Sequence, residues 1–116
     1  MPLDEARAIL PVLVAAALAL AGCGSGVGND GDLVGGACGS SDDCVERCVG
    51  GPDFPNGTCT LGCVDDGDCP DGTFCVDEEG GICLLRCDLT SDCRVGYICD
   101  TEDRRGAVGE VLVCGD

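Results

Sequence analysis

The chain of 116 residues contains no histidine, no lysine and no tryptophan, and its aromatic residues are Phe54, Phe74 and Tyr97 alone. Without histidine, imidazole-based triads and imidazole metal sites are excluded. Arginine is the only basic side chain, and six arginines stand against 22 acidic residues for a net charge of −16. No basic patch exists to displace counterions from a polyanion, so no nucleic-acid partner is expected. No cysteines are spaced C-x-x-C, the pattern of thiol exchange and of most zinc-thiolate sites, so neither chemistry is expected. Long amphipathic helical patterns are missing too. Paired carboxylates hydrolyse glycosides only around a fixed cleft, and cysteine-bounded segments this short do not supply one. The expectation is a non-enzyme without metal or cofactor. Apolar material is also scarcer than the 45% hydrophobic content suggests, because that figure includes 13 cysteines and a concentrated N-terminal run. What is left cannot build an ordinary core.

That N-terminal run, AILPVLVAAALALA over residues 8–21, is free of charge. It is short for a bilayer span but suits the apolar stretch of an export signal. It closes on Leu20-Ala21-Gly22-Cys23. This resembles the lipobox of bacterial lipoproteins. The resemblance implies cleavage between Gly22 and Cys23, a diacylglycerol on the Cys23 thiol and an acylated new amine. Asp4 and Glu5 against Arg7 depart from the family, whose leaders carry a positive excess. A plain export signal cut elsewhere is the alternative. Gly24 resembles the residue that follows the lipidated cysteine in outer-membrane lipoproteins of enteric bacteria. The implied location is a bacterial envelope, at the outer membrane or cell surface, with the membrane as a partner through the lipid.

Cysteine counting agrees independently. Thirteen is odd, and removing Cys23 leaves twelve, which can all pair. Exported proteins keep such cysteines oxidised, so six disulfides are expected. Residues 23–36, GSGVGNDGDLVGG after the cysteine, are glycine-rich and read as a flexible tether.

The twelve are Cys38, Cys44, Cys48, Cys59, Cys63, Cys69, Cys75, Cys83, Cys87, Cys93, Cys99 and Cys114. A shift of 24 residues lays Cys59, Cys63, Cys69 and Cys75 on Cys83, Cys87, Cys93 and Cys99. Each copy also has an aspartate before its second cysteine, Asp68 or Asp92, and a glycine three residues after it, Gly72 or Gly96. Such self-similarity marks a repeat. Cys38 and Cys44 extend the frame backwards, but Cys48 follows too soon, so the first copy is divergent. Three units are expected, residues 37–59, 60–83 and 84–116, each closing on itself. A cut at Cys59 also gives even groups. Spacing leaves the connectivity open; the expected pattern is first to third and second to fourth cysteine in every unit.

The expected fold class is small and disulfide-rich: tandem cysteine-rich modules with short β-hairpins and little regular structure. Residues 73–76 and 82–85 are β-prone, and a three-residue loop with Gly80 at positive φ would set Cys75 opposite Cys83. Residues 96–99 and 111–114 repeat this around a longer loop, and Asn56-Gly57 signals a turn before Cys59. The aspartates before the second cysteines are placed to cap a turn through backbone amides. With so little core, the bridges must carry stability; a disulfide closing about 15 residues is worth roughly 3 kcal/mol.

The Cys-x5-Cys-x5-Cys frame with these Asp and Gly positions is similar to the N-terminal cysteine-rich region of Dickkopf proteins, and to cysteine-rich lipoproteins of high-GC bacteria. The likeness is best over residues 63–99. It implies a scaffold; Dickkopf activity on animal receptors is not carried over. The functional expectation is a lipid-anchored envelope protein acting as a binding or display module. One alternative is an inhibitor of an exported protease, with residues 100–110 and Arg104-Arg105 as bait. Another is a calcium-dependent module using the acids of residues 65–72, which miss the EF-hand spacing. The acidic surface favours a basic partner, and Phe54, Phe74 and Tyr97 are the aromatic candidates for an apolar hot spot.

Overall fold

The computed structural model describes residues 26–116. The export signal, the Gly22–Cys23 bond and Cys23 itself lie outside the described residues. The expected fold class is found. Three antiparallel hairpins follow one another: β1 (Arg47–Val49) with β2 (Thr58–Thr60), β3 (Thr73–Val76) with β4 (Ile82–Leu85), and β5 (Ile98–Asp103) with β6 (Glu110–Gly115). A single 3-10 turn precedes each hairpin, at Ser41–Asp43, Asp66–Asp68 and Thr90–Asp92. No helix among the described residues is long and apolar enough to cross a membrane.

Six disulfides tie turn to hairpin. They are Cys38–Cys48 and Cys44–Cys59, Cys63–Cys75 and Cys69–Cys83, Cys87–Cys99 and Cys93–Cys114. Every unit thus pairs first with third and second with fourth. The third and fourth cysteines face each other across the hairpin, as Cys48↔Cys59, Cys75↔Cys83 and Cys99↔Cys114. Neither bonds to the cysteine it faces. Each reaches back to the 3-10 region, so the two bridges of a unit run side by side and staple the turn across the hairpin.

The β3–β4 connection is longer than the three residues expected. It spans residues 77–81, and a tight turn inside it is closed by Gly81 N–H donating to Glu78 O at 2.7 Å. Glu79 at φ 49° and Gly80 at φ 84° give this turn the left-handed geometry that matches strand twist. Alternation along the hairpin then sorts its faces. Phe74, Val76, Ile82 and Leu84 pack into a cluster with Val49, Phe54, Tyr97 and Val113. Cys75, Cys83 and Leu85 turn the other way, towards Val34, Leu33 and Leu61. The middle hairpin is therefore covered on both sides.

The three units share one interior: the main apolar cluster takes residues from all three, because none alone has enough apolar surface to bury. The positions 59/60 and 83/84, where one unit passes to the next, lie inside β2 and β4. The chain leaving one hairpin at once becomes a lead segment for the next unit. Isolated bridges Gly62↔Ile82 and Arg86↔Val113 add that segment to the following hairpin.

The same geometry overturns the tether for residues 26–36. Cys83 N–H donates to Leu61 O, two residues before the first cysteine of unit two; Cys59 N–H donates to Gly36 O, two residues before the first cysteine of unit one. Gly35 N–H returns a bond to Cys59 O at 2.9 Å. Residues 35–36 are thus the lead segment of unit one. Upstream, Gly28 N–H reaches Val34 O, and Leu33 and Val34 N–H both reach Gly26 O. Val34 is fully buried. The glycines serve close approach rather than mobility: a Cβ on Gly35 would lie 2.2 Å from Gly28 O and 2.6 Å from Leu85 Cδ1. Gly35 also sits at φ 113°, which side chains resist.

Gly35→Ala should accordingly lower stability by about 1–3 kcal/mol, from positive-φ strain and backbone overlap. Denaturant unfolding with the bridges intact measures it. An unchanged midpoint would restore the free tether.

Candidate functional site

Carboxylates dominate the surface, and each unit first spends one on itself. In every unit the aspartate before the second cysteine folds back onto the 3-10 turn. Asp43 Oδ2 accepts from Gly39 and Ser40 N–H, Asp68 Oδ2 from Val64 N–H, and Asp92 Oδ2 from Asp88 and Leu89 N–H. A short carboxylate is suited to this, since it satisfies exposed amides without lengthening the turn. Two bonds to the Asp88 and Leu89 amides hold Asp92 below its ordinary value, against a small opposing effect of burial.

The acids proposed for calcium are likewise engaged. Asp65 Oδ1 accepts from Gly67 N–H at 2.8 Å, and Asp66 accepts from Cys75 N–H at 2.8 Å and pairs with Arg104. Burial opposes ionisation of Asp66, but the Cys75 amide and the Arg104 guanidinium outweigh it, leaving the carboxyl below 3.8. Three of the loop's four aspartates are therefore committed to internal donors.

The arginines proposed as protease bait are also occupied. Residues 98–103 and 110–115 are strand, which leaves 104–109 as the loop. Arg104 turns back to Asp66, and Arg105 Nη1 donates to Asp77 Oδ1 at 2.8 Å. Backbone bonds follow the same route, Arg105 N–H to Cys75 O and Asp77 N–H to Asp103 O. Both arginines lash unit three to unit two.

A third arginine joins unit three to unit one. Arg94 donates through Nε to Gly35 O at 3.0 Å and through Nη2 to Gly57 O at 2.6 Å and Thr58 Oγ1 at 2.8 Å. Its guanidinium lies 4.5 Å from the Tyr97 ring centre. The Tyr97 hydroxyl donates to Pro55 O at 2.9 Å, so the 2.7 Å contact with Thr58 Oγ1 is a bond that Thr58 donates. Tyr97 and Phe54 are buried and Phe74 is packed on the core, which removes all three from the list of surface hot spots. The large apolar side chains that do face solvent are aliphatic, including Val45, Val64, Val95 and Val108.

A concave feature of about 130 Å³ lies where the three units meet. Unit one supplies Asp53 and Phe54, unit two Glu78 and Leu84, and unit three Glu102, Gly115 and Asp116. Glu102 is drawn inward by strand alternation, because it faces Val111 across the hairpin and Val111 packs on the core. Burial, then a hydrogen bond with Glu78, then the charges of Glu78, Asp100 and Asp103 push Glu102 up to about 7. Nothing in the sequence marked this cavity. Its lining residues come from distant positions, and only the chaining of lead segments and arginine clasps brings them together. The carboxylate oxygens offer electrostatic attraction to a basic or cationic group. The cysteine sulfurs that cluster within each unit are already bonded in pairs and are not free thiolates.

Comparison with protein families, with curated proteins and with solved structures finds no match.

The lowered values of Asp66 and Asp92 predict acid sensitivity with a definite sign. Their contribution is present above the unfolded value near 3.8 and is lost as pH falls through the folded values. The urea midpoint should fall over that range, and Asp66→Asn should flatten part of the fall. Equal acid dependence in the variant would contradict the assignment.

Proposed function

We propose that the chain is a lipid-anchored protein of a bacterial cell envelope, whose disulfide-stapled body is a non-catalytic binding or display module. The observation that carries the reading is Leu20-Ala21-Gly22-Cys23 at the end of a charge-free apolar run. Supporting it is the accounting of cysteines: twelve of the thirteen are consumed in six bridges, leaving Cys23 without a partner among them. Two or more acyl chains on that residue anchor firmly, where a single chain binds only marginally.

The partner of the body is a protein with a basic face. From Cys23 onward the chain loses Asp4, Glu5 and Arg7, so 20 acids and five arginines remain and the net charge is −15. At least three of those arginines are bound internally. The outward field is therefore strongly negative. It repels anionic headgroups, which holds the body off the membrane, and it steers basic partners.

Mass spectrometry of the mature N-terminus should find an acylated Cys23, and Cys23→Ser should move the protein to the soluble fraction. A variant that stays on the membrane overturns the anchor. Binding of that soluble variant to cross-linked envelope proteins should weaken steeply as ionic strength rises. Tight binding indifferent to salt would overturn the basic partner.

A further inference from the structure

An anchor at Cys23 and an ordered segment at residues 26–36 leave little chain between membrane and body. Gly26 O already accepts from Leu33 and Val34 N–H, and Gly28 N–H donates to Val34 O at 3.0 Å. Gly26 is the third residue after Cys23. Whatever its conformation, a stretch of that length reaches at most about 11 Å. The bonded body therefore begins within that distance of the acyl-bearing residue.

Three exposed aliphatic side chains gather around the same segment. Val45, Leu89 and Val95 are 62%, 65% and 95% exposed. Val45 N–H donates to Asp32 O at 2.8 Å. Leu89 O accepts from Asp92 N–H, and Asp92 O accepts from Asn29 Nδ2 at 2.9 Å. Val95 follows Arg94, whose Nε donates to Gly35 O at 3.0 Å. Units one and three thus both bring apolar surface to residues 26–36. Val108, 93% exposed, belongs to a different place. It lies in the 104–109 loop, which Arg104 and Arg105 tie to Asp66, Asp77 and Cys75 of unit two.

We propose, building on the Cys23 anchor, that the side of the body around residues 26–36 faces the membrane and rests Val45, Leu89 and Val95 on the lipid surface. Single exposed aliphatics are ordinary on any protein. Their grouping beside the anchored end is what selects lipid as the occupant, because the bilayer is held within about 11 Å of that end at all times. Apolar side chains at the headgroup boundary bind in proportion to the area they bury, while anionic headgroups oppose acids beside them. Asp30 and Asp32 are exposed within the segment itself. Their repulsion lifts this side only as far as the short connection reaches, so it changes the gap and not the side that faces the membrane. A lipid anchor on a long free chain would leave the body free to turn; this one fixes which surface is left for a protein partner.

The chain contains no tryptophan, so one introduced indole reports from one place. Val45→Trp, Leu89→Trp, Val95→Trp and Val108→Trp are compared in the full mature acylated protein, bound to phosphatidylcholine vesicles whose headgroups carry a nitroxide quencher. Emission from the first three should be quenched at least about twofold more than from Val108→Trp, since the connection keeps them within reach of the headgroups. Flotation with the vesicles and the mass of the N-terminal peptide are read on the same samples. Protein that is acylated and floats but is quenched equally at all four positions, or most at Val108→Trp, overturns the membrane-facing side and leaves the anchor standing. Protein that lacks the acyl groups and does not float overturns the anchor, and the membrane-facing side with it.

Discussion

Everything in this molecule depends on the way two disulfides run through each hairpin. A bridge between facing strand cysteines would only have reinforced a register already set by backbone bonds. Here the facing cysteines, such as Cys75 and Cys83, each bond to the 3-10 region instead. The bridges close loops of between 10 and 21 residues in sequence separation. In the chain-entropy account, each closure removes conformations from the unfolded chain worth roughly 2–4 kcal/mol. That lets a chain with almost no aromatic residues hold a fold whose apolar interior is one shared cluster.

The arginine clasps act on top of this frame. Arg94 binds backbone carbonyls of unit one that strand pairing leaves over, and Arg104 and Arg105 bind acids of unit two. In a chain with so few cations, spending at least three inside the fold is a commitment to one arrangement of the units. Arg104 and Arg105 stay partly exposed beside their acids, and each pair cancels one carboxylate, so the negative exterior comes from the many acids left without a cation. Assembly and electrostatic character thus come from the same residues.

How much of this was legible follows from the range of each interaction. The aspartate before each second cysteine and the Gly80 and Asn56-Gly57 turns act over a few residues, so hairpins and caps could be read, and the cysteine repeat gave the number of bridges while spacing alone left their connectivity open. Residues 26–36 could not, because composition does not separate a flexible glycine from one that permits backbone contact. A signal was present nonetheless: Gly36 stands two residues before Cys38 as Leu61 does before Cys63. Tyr97 looked like a surface aromatic and Arg104-Arg105 like a presented loop because their partners, Pro55, Thr58, Asp66 and Asp77, lie tens of residues away. The acid cavity was invisible for the same reason.

The central claim is that the twelve cysteines from Cys38 onward form three crossed pairs of bridges within one shared body. Proteolysis without reductant, followed by mass mapping of linked peptides, tests it most directly. The account predicts only the six pairs first to third and second to fourth within each unit, with no alkylatable thiol among the twelve. Any bridge between units, any pairing of Cys75 with Cys83 or its equivalents, or several free thiols would contradict it.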